Sequence, residues 1–333
     1  MSFGVTTYGD ISPRVGIWAV ANFLEHAMPV LVLEKFARTE TLPKNKGQLV
    51  KFRRFVPFAI NTTALVEGVT PAPNQLQYED VSAVVQQFGD WVSFTDVIAD
   101  THEDPNLQKI TAGLGEQAAA TKEQIIWAEL IAGTAVLYSG AATSRATVAA
   151  PLSEDELITA QRYLKANKAK HITKMLKAST NIATEPVAPG FIAFGHTNLE
   201  ADLRGLPEFV VREKYSNYNA ASDYEIGKFQ DLRFILSPDL HPLWGAGAGS
   251  PAGVLSRDGT NVDVYPLVIV GQDAYAVIPL RGMDAATVVV KNPTPTYEDP
   301  LAQRGFASWK MWYVAVRLNE EWMIRIETAA SDY

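Results

Sequence analysis

The chain of 333 residues contains 0 cysteines, which excludes disulfides and thiolate metal sites and leaves stability to packing or assembly. Positive charge is also in short supply: 29 Lys and Arg stand against 37 Asp and Glu, a formal net charge of −8. That sign is wrong for a protein whose whole surface wraps a polyanion, so any nucleic-acid contact has to be local. No long stretch joins low hydrophobicity to high charge, and 47% hydrophobic and 20% charged residues are globular values. The most apolar early run, Val15 to Leu33, is interrupted by Asn22, Glu25, His26 and Pro29 and cannot cross a bilayer cheaply. The opening MSFGVTTYGDISPRVG has no basic segment, apolar core and small-residue cleavage site in sequence, so no export signal and no membrane partner are expected.

Signatures of enzyme chemistry are equally sparse. The five histidines, His26, His102, His171, His196 and His241, are scattered without an H-x-x-x-H spacing, and there is no G-x-S-x-G elbow for a nucleophilic serine. The glycine-rich GAGAGSPAG, from Gly245 to Gly253, is not followed by Lys-Ser or Lys-Thr; it reads as a mobile loop rather than a phosphate cradle. In DVIADTHEDP, Asp96, Asp100 and Glu103 offer the carboxylates that an acid/base hydrolase or a hard cation would need. Acids at a helix start serve the helix dipole just as well, and that is the reading preferred here.

What the chain does contain is a succession of well-marked elements. Ser12 and Pro13 open a helix with Ile17, Val20, Phe23 and Leu24 on its apolar side, ended or kinked by Pro29. Alternation from Leu49 to Val56 and again along EDVSAVVQQFGDWVSFTDVI predicts a long two-stranded excursion from Gly47 to Ile98, with turn material in LVEGVTPAPNQL. Asp104 and Pro105 open the clearest helix, extending to about Gly133. Ser153 and Glu156 form a capping box for a second helix reaching near Leu176, whose face with Arg162, Lys165, Lys168, Lys170, Lys174 and Lys177 is locally basic. Beyond Thr180, the runs GFIAFG, DLRFILS, NVDVYPLVIVG and AYAVIPL have strand character without regularly alternating helices, an α+β texture.

Near the C-terminus GFASWKMWYVAVRLNEEWMIRIE places Trp309, Trp312 and Trp322 among Lys310, Arg317 and Arg325, the ingredients of a base-stacking groove. Its period is two, however. Trp309, Met311, Tyr313 and Ala315 share one side, Trp312, Val314, Val316 and Leu318 the other, and Met323, Arg325 and Glu327 alternate with Trp322, Ile324 and Ile326. Such rows bury one face against a helix, so a sheet closing on the long helix is the preferred reading.

Several blocks, among them HAMPVLVLEKFARTETLPKNKGQLVKFRRF, LVEGVTPAPNQL, QQFGDWVSFTDVIADTHEDPNL, EIGKFQDLRFILS and DPLAQRGFASWKMWYVAVRLNEEWMIRIE, resemble the major capsid proteins of tailed phages of the N-four-like type. The resemblance implies the α+β Hong Kong 97 capsid fold. Its parts would be an N-terminal arm over 1–40, an extended loop over 41–100, a peripheral domain with a spine helix over 101–150 and 292–333, and an axial domain over 151–291. It implies a structural protein without catalytic residues, cofactor or metal, which self-assembles as hexamers and pentamers into an icosahedral head around double-stranded DNA. Scaffolding and portal proteins are implied as partners, a decoration protein is an optional one, and assembly takes place in the host cytoplasm. Contacts between subunits are expected at Lys51, Arg53, Arg54 and Glu67 of the extended loop, cations meeting acids on a neighbour. A bacterial compartment shell of the same fold is the nearest alternative, and an acid/base hydrolase a more distant one.

Overall fold

The computed structural model describes residues 31–333 apart from 66, 69, 98–105, 173–175, 179–183, 187–188, 216–219, 281–286, 296 and 298. The helix expected after Ser12 falls outside the described residues, as do His26, Asp100, His102, Glu103 and Lys174. In chain order the strands and helices are β1 (Arg38–Thr39), β2 (Leu49–Phe55), β3 (Tyr78–Val84), β4 (Gln86–Thr95), α1 (Asn106–Ile131), β5 (Val136–Tyr138), α2 (Glu154–Ala166), β6 (Leu176–Ala178), β7 (Thr184–Pro186), β8 (Phe191–Gly195), α3 (Glu200–Arg204) and β9 (Val210–Val211). There follow β10 (Glu225–Phe229), β11 (Leu232–Leu236), β12 (Tyr265–Val270), β13 (Tyr275–Val277), β14 (Thr287–Lys291), β15 (Arg304–Tyr313), β16 (Ala315–Arg317) and β17 (Met323–Thr328).

The continuous apolar runs become the centre of the molecule. Seven strands pair in the order β5-β17-β12-β8-β11-β10-β9, and β8, β11, β12 and β17 are buried along their whole length. Alternate residues serve opposite layers. Ile192, Phe194, Ile235, Val268 and Val270 pack toward Ile126, Trp127 and Leu130 of α1, whereas Phe191, Ala193, Phe234, Leu267 and Ile269 pack with Leu157, Ala160 and Leu164 of α2 and Leu203 of α3. A sheet covered on both faces has no polar side to show, which is why β8 and β12 are uninterrupted apolar runs, while β11 and β17 bury Arg233, Arg325 and Glu327 beside opposite charges.

Helix α1, 26 residues long, spans about 39 Å at 1.5 Å per residue. Its C-terminal half belongs to the seven-stranded sheet, while Leu114 and Ala118 nearer its start meet Ala307, Trp309 and Met311 of β15. That strand lies between β14 and β4, and its burial alternates residue by residue. The helix therefore joins two sheets.

Three expectations are revised. The capping box of α2 forms, with the Ser153 amide donating to Glu156 at 3.0 Å, but the helix ends at Ala166 rather than near Leu176. Lys168 takes a φ of +56°, the Lys168 and Ala169 amides turn back to Lys165 and Leu164, and this left-handed cap closes the helix without a glycine. Leu176 and Lys177 lie on β6, so the basic residues do not line one helical face. The excursion expected from Gly47 to Ile98 divides at Val85: β2 and β3 form the hairpin, and β4 leaves it to pair with β15 from Arg304↔Thr95 to Tyr313↔Gln86. The C-terminal tryptophan stretch likewise serves two sheets, since β15 packs on α1 while β17 is a fully buried strand between β5 and β12.

Candidate assembly surfaces

The β2–β3 hairpin has two ends of different character. At its root, Val50, Phe52, Val81 and Ala83 share one side of the ladder and pack on Leu42, Ala276, Ile278 and Val316 beside the small sheet of β1, β13 and β16. Toward the distal end, cross-strand partners are charged. The Arg53 guanidinium donates to both carboxylate oxygens of Asp80, at 2.8 and 3.1 Å, and lies over the Tyr78 ring at 5.4 Å. Arg54 donates to Glu79 at 2.7 Å. The hydrogen bond from Arg53 holds the Asp80 carboxyl below its ordinary value. Of the four residues expected to reach a neighbour, Arg53 and Arg54 are thus engaged with acids of their own hairpin, Lys51 stands exposed opposite Ser82, and Glu67 lies exposed in the distal turn.

Beyond these ion pairs the hairpin shows large apolar side chains that stay half or more exposed. Phe58 is 50% exposed, Leu65 76% and Ile60 90%. Phe55 meets Phe58 edge to face at 5.2 Å and Tyr78 at 6.5 Å, a local cluster in an otherwise open segment. Exposed large apolar groups at the end of an arm make it a candidate interaction surface.

A second surface lies on the outer side of the β14-β15-β4 sheet. Register puts Ser308 between Trp91 and Val289, and Phe306 between Ser93 and Lys291, leaving Trp91, Val289 and Phe306 exposed on the face turned from α1. A shallow cleft of about 590 Å³ runs past Gly89, Trp91, Phe306 and Lys310. Gly89 is required there, because a Cβ would stand 2.7 Å from the Trp309 carbonyl. A third depression, about 740 Å³, separates the hairpin from the body and is lined by Arg54, Glu79, Lys168, Asp273 and Trp322 among others, with charges of both signs.

The candidates for chemistry resolve differently. Asp96 accepts from the neighbouring Val97 amide at 2.8 Å, and its companions Asp100 and Glu103 lie outside the described residues. His171 packs on Phe191, ring to ring at 4.4 Å. The His196 Nδ1 accepts from the Asn198 amide at 3.0 Å, with burial holding its pKa down. Among the described residues no group of three His, Asp or Glu is placed to hold a metal ion, and no helix is long and apolar enough to cross a membrane. The glycine-rich loop is neither a phosphate cradle nor free: the Gly247, Ala248 and Ser250 amides donate to Val262, Val148 and Thr260 at 2.9 Å each. Lys165 of the basic helix pairs with Asp231 at 2.7 Å.

Two charged clusters that no sequence pattern announced are internal. Glu327, fully buried, accepts from Arg145 at 2.6 and 2.8 Å. Arg325 Nε stands 2.8 Å from the same carboxylate without hydrogen-bond alignment, and its Nη1 donates to the Gly133 carbonyl at 3.2 Å. Burial lowers the Arg325 pKa, whereas the bond to Glu327 raises that of Arg145. Glu225 accepts from Arg233 at 2.9 Å and from the Tyr215 hydroxyl at 2.8 Å. In both clusters the carboxylate is buried while Arg145, the outer member of the first, is partly exposed.

Comparison with known proteins places this architecture. The family model described as phage capsid protein matches residues 78–326. A major capsid protein of Pseudomonas phage KPP21 is 25% identical over 265 residues, 74% of this chain and 66% of that relative's length. Among solved structures, the capsid of Ralstonia phage GP4 superposes with a TM-score of 0.69 at 12% identity, covering 99% of both chains. The head structure of Helicobacter pylori bacteriophage KHP40 gives 0.64 at 11% identity over 99% of this chain and 98% of that one. The shared fold is the Hong Kong 97-type capsid fold.

Proposed function

Because the chain belongs to the phage capsid protein family, we propose that it is the major capsid protein of a tailed phage, the tile that self-assembles into an icosahedral head enclosing double-stranded DNA. The observation that carries this reading is the hairpin: a well-packed body holds out an arm whose apolar end covers no core of its own. In this reading residues 1–40 form the N-terminal arm, 41–100 contribute the extended loop, 101–150 and 292–333 form the peripheral domain with α1 as its spine helix, and 151–291 form the axial domain. The axial strands β8 to β12 share the seven-stranded sheet with β5 and β17 of the peripheral stretches. The hairpin end lies over a neighbouring copy. Lys51 and Glu67 supply charge at that contact, and Arg53 and Arg54 supply the guanidinium N–H groups left over from their own cross-strand acids.

Several such contacts per tile, each of the usual size of about 1,600 Å², hold a shell without any one of them being strong. Hexamers and pentamers of this chain, a scaffolding protein and a portal are the partners that closure of such a shell calls for, and a decoration protein on the outside is an optional one. Assembly takes place in the host cytoplasm. The net charge of −8 suits a container whose DNA must move in and out without adhering, so contacts with DNA are weak and unspecific. Electron microscopy of the purified chain, alone and with its scaffold, tests the reading. Closed shells or ring-shaped capsomers are the expected result, and only small soluble particles under every condition would sink it.

A further inference from the structure

Glu123, on α1, is a buried acid, 2% exposed. Its Oε1 accepts two backbone hydrogen bonds, from the Val32 amide at 2.8 Å and the Leu33 amide at 3.0 Å. Val32 and Leu33 are 2% and 0% exposed, so the segment that supplies the donors also belongs to the cover that shuts water out. Tyr275 of β13 fastens the same segment by donating its hydroxyl to the Leu33 carbonyl at 2.6 Å. Lys122, the neighbour on the helix, directs its ammonium toward Glu34 at 3.8 Å and over the Tyr313 ring at 5.4 Å. No ion pair reaches Glu123 among the described residues. The other titratable groups facing it are acids and phenols: Glu34 from the turn after Leu33, Asp239 from the loop after β11, Tyr275 from β13 and Tyr313 from β15.

We propose that Glu123 makes the seating of the Val32–Leu33 segment on α1 proton-coupled, the segment seating as the carboxyl takes up a proton and loosening as that proton is lost. Two donors favour the carboxylate, but a charge without a counter-ion in a dry site costs more than they return. Burial accordingly pushes the Glu123 carboxyl up from 4.5 to about 7, with Glu34 and Asp239 adding to the rise against the two amides. With the segment lifted, the carboxyl meets water and returns toward its ordinary value. The seated state therefore holds more protons between about pH 4.5 and 7; seating is strongest below that window, weakens about tenfold per pH unit across it, and is level above it. One titratable group thus sets how firmly the Val32–Leu33 segment is tied to the long helix, whether or not copies assemble.

Hydrogen exchange at the Val32 and Leu33 amides of the purified full chain, corrected for the intrinsic pH dependence, tests this between pH 5 and 8. Protection should fall by about tenfold or more from pH 5 to 7 and then level off. Glu123→Gln keeps a carbonyl acceptor for both amides but cannot ionise, and its profile should be flat. A flat wild-type profile overturns the proposal, and so does a Glu123→Gln profile as steep as the wild type. A fall matched in step by the Val268, Ile269 and Val270 amides of β12 also overturns it, because that would report opening of the whole fold. The wild-type profile, with the β12 amides as reference, is decisive even if the variant fails to fold.

Discussion

Strands β12 and β2 invite comparison, since both are extended segments rich in β-branched and aromatic residues and they meet opposite fates. YPLVIV of β12 is buried at every position, flanked by β8 and β17 and covered on its two faces by different helices. LVKFRRF of β2 has one partner strand, gives only Val50 and Phe52 to the interior, and leaves the rest exposed. A two-stranded ladder this exposed is marginal by itself. Its cross-strand ion pairs fix register, since a slip of one residue would set Arg53 opposite the wrong neighbour. Apolar surface in β12 stabilises the subunit, whereas apolar surface at the end of the hairpin stays exposed, which the proposed shell contact would cover.

The comparison is broken most forcefully from the buried side. Replacing Glu327 with Ala would leave Arg325 buried without its carboxylate and Arg145 without the acid it pairs with. Loss of one partner from such a cluster costs about 3–5 kcal/mol, read as a lower denaturant midpoint of the subunit with an unchanged slope. A loss below about 1 kcal/mol would mean that water reaches the site and that the β17 side of the sheet is less dry than its burial indicates. A smaller effect separates the two sheets along α1. Trp309 buries its ring on Ala118 and Leu114 and donates its indole N–H to Gln117 at 2.9 Å. Trp309→Phe keeps most of the packing and removes only the bond to Gln117 Oε1, whose amide still donates to Asp90 at 2.7 Å, for a cost of about 1 kcal/mol in the same denaturation experiment.

How far these arrangements can be read in sequence depends on whether the determining contacts are local. The GFIAFG, DLRFILS and YPLVIV runs announce strands through their short length and β-branched and aromatic residues, while their cover on both faces, with Arg233 buried in DLRFILS, is set by distant contacts. The start of α2 is written in Ser153 and Glu156, but its end rests on a lysine in a left-handed conformation that glycine would ordinarily mark. The departure of β4 from the hairpin was not legible, since its pairing with β15 joins Gln86 to Tyr313 across most of the chain, and alternation says which face is buried but not which strand lies alongside. The surface residues fared likewise. Lys51, Arg53, Arg54 and Glu67 look alike as charges in sequence, and only the register shows that two of them already have acids opposite. Glu123, Arg325 and Glu327 gave no signal, because a charge destined for the interior carries no mark apart from its partner.

The smallest expected effect on the subunit is also the sharpest probe of the difference between the two strands. Ile60→Ser combined with Leu65→Ser removes apolar groups, 90% and 76% exposed, from the end of the hairpin. If the end serves another copy, nothing within the chain loses its packing, and the denaturation midpoint should shift by no more than the equivalent of about 0.5 kcal/mol, as for ordinary surface changes. Assembly should respond quite differently. Each tile presents its own arm, so a modest weakening is repeated at every contact around the shell, and the yield of closed particles in electron micrographs should collapse while sedimentation shows intact free subunits. A large loss of subunit stability would instead make the hairpin end part of the chain's own core. Unchanged stability with unchanged shell yield would place the holding contacts elsewhere, with the outer face at Trp91, Val289 and Phe306 as the next surface to alter.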